Sequence, residues 1–463
     1  MLRSPASRPS PSGMNEKTPR TPQPSRPASA ARGRAPDVPG VAVRRAAVEA
    51  LEAVLEKGRP LEEALERLTR DLDDRDRALA RMIAATTLRR LGSLSALVRS
   101  MLERGLPEKA RRVQAILQVG AAQILFMDVP DHAAVSTGVA LASEDQASAG
   151  FKGLVNAVLR RIAREGTASL PDVAEQPQWM IDGWTAAYGP QAAQAISHAL
   201  AQEAALDLTA KADAAEWAEK LGGHLLPTGS IRLVEAGNVP ALAGFEDGAW
   251  WVQDAAAALP ALLLHAAPGQ HIADLCAAPG GKTAQLAASG ARVTAVDRSG
   301  QRLRRLTQNL ARLKLEAEVV EGDAASWNGG PFDGVLIDAP CSATGTIRRH
   351  PDVAWTKSPG DIASLAALQS RILRNAADLV KPGGVLVYST CSLEPEEGER
   401  QVEALLVARE DFARDPVRPG ECGIDAAWIN AAGEVRTLPT HLPNPDPRLA
   451  GLDGFFAARL RRR

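Results

Sequence analysis

His271-Ile272-Ala273-Asp274-Leu275-Cys276-Ala277-Ala278-Pro279-Gly280-Gly281-Lys282-Thr283 is the stretch on which the fold turns. The run up to Leu275 reads as a buried strand, the small residues and paired glycines as a tight loop, and the residues after them as a helix. Such a loop lets the backbone approach a ligand held at a helix N-terminus. A phosphate-binding P-loop needs Gly where Cys276 stands, and a dinucleotide fingerprint needs G-x-G-x-x-G; the stretch has neither.

Downstream, predicted strands at 292–296, 316–320, 332–337, 384–389 and 454–460 alternate with helical patterns such as 301–314 and 362–380. With 271–276 as the first strand, this alternation predicts a parallel, doubly wound sheet that binds ligands at the carboxyl ends of its strands. The second strand ends in Val296-Asp297, where an acid accepts from ribose hydroxyls. Asp323 follows the third strand and is placed to accept from an adenine amino group. The loop and two acids in this order suit a nucleoside cofactor without a diphosphate, such as S-adenosylmethionine. The candidate cofactor-binding residues are Cys276, Ala277, Ala278, Pro279, Gly280, Gly281, Lys282, Asp297, Asp323 and Asp338.

The four cysteines, Cys276, Cys341, Cys391 and Cys422, form no C-x-x-C pair, which argues against a zinc site or a disulfide framework and suits a reducing cytoplasm. The fourth strand delivers Asp338-Ala339-Pro340-Cys341-Ser342 and the fifth Ser389-Thr390-Cys391-Ser392. A lone free cysteine is usually a small buried hydrophobe. Two at equivalent strand ends, one following Asp-Ala-Pro, point instead to thiol chemistry, with Asp338, Cys341 and Cys391 as candidate catalytic residues. The residues alone leave open which thiol attacks. Pro395 with Glu394, Glu396, Glu397 and Glu399 predicts a helix first turn whose acids would oppose a nearby thiolate.

Residues 1–38, rich in Pro, Ser, Ala and Arg, read as a disordered basic arm. Its composition is like that of a transit peptide without the amphipathic stripe, and Met14 reads equally well as a start. Residues 39–166 carry helical periodicity, as in Ala47, Leu51, Val54 and Leu55, and predict an all-α bundle. Pro130-Asp131 predicts a helix restart there. Residues 171–266 are mixed, with Asp254 a predicted N-cap, and residues 267–463 form the sheet domain. The apolar run 255–267 is too short to span a bilayer and predicts a core helix. Net charge is −1. Arg348-Arg349-His350 and Arg160-Arg161 are local basic clusters that read either as phosphate contacts or, more simply, as solvated surface.

These residues resemble the Sun/Nop family of RNA cytosine-5 methyltransferases, most closely its bacterial 16S ribosomal RNA branch. The likeness rests on the 276–283 loop, Asp297, Asp323, Asp338–Ser342, Ser389–Ser392, Phe332-Asp333 and Asp453-Gly454-Phe455-Phe456, and spans roughly 170–463. Where that family often has an Arg-x-Asn run, this chain reads Leu206-Asp207-Leu208-Thr209-Ala210-Lys211. Residues 40–165 resemble the NusB antitermination factor, through Pro130–Val135 and Gly153–Arg161. The resemblance implies a multidomain chain: an N-terminal all-α NusB-like bundle, a small mixed α/β RNA-binding subdomain and a C-terminal α/β Rossmann-like methyltransferase domain. It implies S-adenosylmethionine as cofactor, RNA as partner with 16S rRNA foremost, no metal, no membrane and a cytoplasmic monomer. It further implies Cys391 as nucleophile and Cys341 as the residue assisting product release, with Cys276 structural and Cys422 without a role. Methylation of tRNA is the alternative within enzymes. A non-catalytic RNA-binding factor is the other alternative, and it would need neither the loop nor the cysteine pair.

Overall fold

The computed structural model describes residues 39–102, 105–107, 110–235 and 237–463; the expected basic arm at 1–38 lies outside them. Seven helices are found in the first part of the described chain: α1 (Val41–Lys57), α2 (Leu61–Leu68), α3 (Asp74–Arg89), α4 (Leu91–Ser100), α5 (Arg111–Phe126), α6 (Asp131–Glu144) and α7 (Lys152–Glu165). Their apolar stripes meet in one core, with Ala47, Leu51 and Val54 of α1 against Ile83, Leu88, Ile116 and Leu159. Gly120 makes one close approach possible, because a Cβ there would fall 2.7 Å from a methyl of Leu159. The chain restarts at α6 directly after Pro130, as its sequence implies.

Next come α8 (Gln178–Tyr188) and α9 (Pro190–Leu200), then a small antiparallel sheet of β1 (Leu206–Ala210), β2 (His224–Leu225), β3 (Ile231–Leu233) and β4 (Trp250–Val252), in the order β2-β3-β1-β4. Helix α10 (Ala214–Lys220) follows β1, and Trp250 is fully buried in the core of this layer. The stretch that departs from the Arg-x-Asn run is therefore β1. Its Asp207 is fully buried and takes the Arg232 guanidinium in a two-pronged pair, at 2.7 and 2.8 Å.

Helix α11 (Ala255–Leu263) is a buried core helix, and Asp254 caps it, accepting from Ala256 N at 2.8 Å. The large sheet contains β5 (His271–Leu275), β6 (Arg292–Asp297), β7 (Glu318–Glu321), β8 (Phe332–Asp338), β9 (Val380–Thr390), β10 (Phe412–Arg414), β11 (Val435–Thr437) and β12 (Phe455–Arg462). The order is β10-β12-β9-β8-β5-β6-β7, with β11 also pairing β12. Helices α12 (Gly281–Ala288), α13 (Gly300–Leu313), α14 (Val353–Thr356), α15 (Pro359–Leu379) and α16 (Glu399–Ala408) complete the domain. All pairings from β7 through β9 are parallel, and order reverses between β5 and β8, which opens a crevice at their carboxyl ends.

Two features depart from the sequence reading. The sheet is not wholly parallel: β12 runs antiparallel between β9 and β10. Of the acids after Cys391 only Glu399 opens an α-helix: Pro395–Glu397 forms a single 3-10 turn, and α16 begins at Glu399. Among the described residues, no helix is long and apolar enough to cross a membrane.

Candidate active site

The β5 strand ends at Leu275, and Cys276 turns the chain with φ of 63° into the glycine loop. Beside the loop, Asp297 is almost fully buried, accepting from Ala278 N at 3.2 Å and from Ser299 N at 3.0 Å. Half-exposed Arg302 reaches across, 3.3 Å from the Asp297 carboxylate and bonded to the Ala278 carbonyl. A cleft here is lined by Cys276, Asp297, Arg302, Asp323, Pro340 and Ile372, with Leu368 alongside. It joins two carboxylates at its polar side to an apolar wall. The sequence reading of Asp297 and Asp323 placed both acids on one cleft, and the structure brings them there. Arg302, Leu368 and Ile372 carry no local signature and were not foreseen.

The loop's own lysine points toward the fourth strand. Lys282 is buried, donates to Asp338 Oδ2 at 2.7 Å and sits 5.0 Å from the centre of the Phe455 ring. The pair spans the β5–β8 switch point and leaves the Asp338 side chain about a third exposed. Below it, Asp274 is fully buried with one oxygen bonded to Thr283 at 2.6 Å and the other without a partner; burial pushes its carboxyl up to about 7.

Cys341 and Cys391 lie 50 positions apart, and adjacency of β8 and β9 brings them together: their sulfurs are 3.4 Å apart. The hydrogen bond with Cys391, reinforced by burial, pushes the Cys341 thiol well above the ordinary thiol range. Cys276 stays away from this pair in its own wall. Burial, with the carboxylates of Asp338, Asp297 and Asp274 around it, pushes its thiol up to about 12. Cys422 is a free thiol packed against the apolar cluster that contains Leu452 and Phe455.

A buried acid clamp holds the two cysteine loops: the Glu397 charge opposes a Cys341 thiolate, as the sequence reading expects, but the turn that carries it is folded inward and is not the start of an α-helix. Glu397 accepts from Ser342 N at 3.0 Å, from the Ser342 hydroxyl and from Gln369 Nε2 at 2.9 Å. Glu394 accepts from Ser392 Oγ at 2.8 Å and from the Thr344 hydroxyl, and burial pushes its carboxyl up. The loops also bond directly, Gly345 N to Cys391 O at 3.0 Å. Gly345 is required, since a Cβ would come 1.9 Å from the carbonyl oxygen of Gly454. The run of acids was visible in the sequence; that two of the four turn inward onto hydroxyls was not.

Arg348 and Arg349 are neither phosphate contacts nor solvated surface. Arg348 is buried and donates to the carbonyls of Ala450 and Leu452. Arg349 joins Asp254 at 2.6 Å, Asp453 at 3.1 Å and the Ala205 carbonyl at 2.8 Å. Arg160 and Arg161 are exposed on α7, bonded to Asn156 and Glu165. Among the described residues, no group of three or more His, Cys, Asp or Glu is placed to hold a metal ion.

Residues 261–461 match the family described as 16S rRNA methyltransferase RsmB/F, and residues 41–164 match the NusB family. The ribosomal RNA small subunit methyltransferase B of Cronobacter sakazakii is 38% identical over 440 residues, covering 90% of this chain and 98% of the relative. The crystal structure of a protein designated PH0851 superposes with a TM-score of 0.71 at 22% identity, covering 92% of this chain and 99% of that one. A methyltransferase homologue from Pyrococcus horikoshii gives a TM-score of 0.51 at 27% identity, over 61% of this chain and 94% of that one.

Proposed function

The chain belongs to the 16S rRNA methyltransferase RsmB/F family, whose members draw their methyl group from S-adenosylmethionine, and from that premise we propose that it methylates carbon 5 of a cytosine in 16S rRNA through Cys391 and Cys341. The observation that carries the proposal is the 3.4 Å approach of the two sulfurs beside the Lys282–Asp338 pair. Carbon 5 of cytosine is a poor nucleophile, and a thiol added at carbon 6 is the means of activating it.

In this reading the Cys391 thiolate forms a bond to carbon 6, and the electron pair of the ring double bond becomes available at carbon 5. Bound S-adenosylmethionine would supply the electrophilic methyl carbon to carbon 5, its methyl–sulfonium bond breaking with the electron pair kept on the departing thioether sulfur. Cys341, whose hydrogen bond to Cys391 and burial hold its thiol protonated, is suited to give that proton to the departing Cys391 sulfur as the carbon 6 bond breaks, while the carbon 5 hydrogen leaves as a proton to water and its bonding pair restores the ring double bond. Asp338, about a third exposed and three positions before Cys341, is suited to the N3/amino edge of the base, with Lys282 fixing its orientation. The cytosine must leave its stack for a thiol to reach carbon 6.

The cleft fits the donor. Asp297 would hold the ribose diol and Asp323 the adenine amino group, with Pro340, Leu368 and Ile372 against the purine face. The loop residues Ala277 to Lys282 would border the methionine end. Arg302, which is 53% exposed, would turn outward to uncover Asp297. We further assign 39–166 to RNA binding as a NusB-like bundle, 171–266 to an RNA-binding subdomain and 267–463 to methyl transfer, in a monomer acting in the cytoplasm.

Bisulfite mapping of ribosomal and transfer RNA from a strain lacking the gene tests the proposal. The expected result is loss of methylation at a cytosine of 16S rRNA, restored by the intact chain. Loss confined to transfer RNA would move the substrate to the alternative class, and loss at neither would overturn the reading.

A further inference from the structure

Both cysteine loops are tied to the helical bundle, by separate routes. The segment that leaves Cys341 reaches the bundle at residues 348–355. Buried Asp352 accepts from Leu61 N at 3.1 Å, at the first residue of α2. Trp355 donates to the Leu88 carbonyl at 3.0 Å and packs against the bundle's own core, while Arg89 of α3 donates to the Arg348 carbonyl at 3.2 Å. The segment after Cys391 is held by α8: the Tyr188 hydroxyl donates to Leu393 O, and Trp184 Nε1 donates to Glu394 at 3.2 Å. The residues leading into α8 are fastened in turn to α4. Glu175 accepts from Ser93 N of α4 at 3.0 Å and from Ser93 Oγ at 2.8 Å, while Gln176 accepts from Ser197 of α9 at 2.6 Å.

We infer that the bundle, beyond any contact with RNA, is a positioning element for the thiol pair, and that Asp352 and Trp355 transmit its docking to the Cys341 loop. The inference rests on the reading of Cys341 and Cys391 as the reacting pair. Its physical basis is the continuity of the intervening chain. Between Cys341 and Asp352 the described structure has one 3-10 turn, Thr344–Thr346, and the segment is held along its length, Thr344 by Glu394, Gly345 by the Cys391 carbonyl and Arg348 by the carbonyls of Ala450 and Leu452. The Glu397 clamp fixes it beside Cys341, and the bundle fixes its far end. Freeing the far end shifts the segment that carries Cys341, and a small displacement between reacting groups is enough to slow a reaction severely. Asp352 also supplies the acceptor for an otherwise unpaired N–H at the start of α2, which couples the helix end to the loop directly.

The full chain carrying both Asp352→Ala and Trp355→Phe tests this; the second change removes the indole N–H and keeps an aromatic ring in the core. Diamide reads the placement of the thiols without RNA: two thiols give one disulfide, and their two electrons and two protons pass to the diazene to give the hydrazine. The expected result is cross-linking of Cys341 to Cys391 slowed about tenfold in the double variant, with recovery close to the wild-type rate in the single variant Asp352→Asn, which keeps the acceptor. In the RNA reaction the double variant is expected to accumulate covalent protein–RNA adduct, with KM for RNA unchanged. A wild-type cross-linking rate in the double variant overturns the inference, whatever the RNA assay gives. Wild-type cross-linking with a raised KM also overturns it, by assigning the contact to RNA binding. If no adduct forms in any protein, the reading of the cysteine pair falls, and the cross-linking rate still decides the positioning role.

Discussion

Three cysteines follow three neighbouring strands of one sheet, Cys276 after β5, Cys341 after β8 and Cys391 after β9, yet they lie in two different environments. Cys276 lines the cleft that holds Asp297 and Asp323, with its thiol pushed up to about 12 by burial first and by neighbouring carboxylates next. Cys341 and Cys391 face each other, and buried Glu394 and Glu397 bind the hydroxyls and the backbone N–H of the residues just past them. A strand end therefore provides access to the ligand crevice and nothing more. What sets Cys341 and Cys391 apart is that two loops arrive face to face and are held there, and the proposed chemistry rests on that placement.

The sharpest way to break this comparison is to remove the proposed nucleophile. Cys391→Ala is expected to lower turnover more than about a thousandfold, with no covalent RNA species, because no other group replaces an attacking thiolate. A single-turnover methylation assay near wild-type rate would return Cys391 to the same class as Cys276. Cys341→Ala should leave attack possible and slow release about a hundredfold, the scale of a lost proton-transfer group. A slowly migrating protein–RNA band on a denaturing gel is the measurement, and its appearance with Cys391→Ala instead would reverse the two roles. The double substitution should show no band.

Asp297→Ala addresses the cofactor side of the comparison. Losing two good hydrogen bonds to a nucleoside is expected to weaken S-adenosylmethionine binding some tens-fold, on the order of 2–3 kcal/mol. Calorimetry in which NAD binds more tightly than S-adenosylmethionine would remove the cleft assignment. The smallest effect belongs to Cys276→Ala, expected to keep turnover within about twofold, since a buried thiol this far from its ionisation range packs as a small hydrophobe. Alkylation near neutral pH should modify Cys391 well before Cys276, and the reverse order would undo the distinction.

The two basic clusters show where reading along the chain stops. Arg160-Arg161 and Arg348-Arg349 look alike as text. The first pair is exposed on α7; the second turns inward to carbonyls at 205, 450 and 452 and to carboxylates at 254 and 453. The acids after Cys391 carry the same lesson, because four in a short run read as a helix first turn and two of them are buried clamps. Strands β10 and β11, of three residues each, were too short for an alternation to register. In each case the deciding partner lies tens to hundreds of positions away, outside any periodic window.

What the sequence determined by itself is what local spacing can encode. The helical stripes of α1 through α7, the strand–loop–helix at 271–288, and the order of Asp297, Asp323, Asp338, Cys341 and Cys391 at successive strand ends all follow from side-chain periodicity and backbone preference over a few residues. The tertiary structure alone decided which side chains meet. It set the 3.4 Å approach of two sulfurs 50 positions apart, the pairing of Lys282 with Asp338, and the docking of Asp352 and Trp355 onto the bundle. Such meetings depend on how strands order within the sheet and how whole layers pack. A contact made across the fold is stabilised by burial and by satisfying polar groups that no neighbour in the chain can reach.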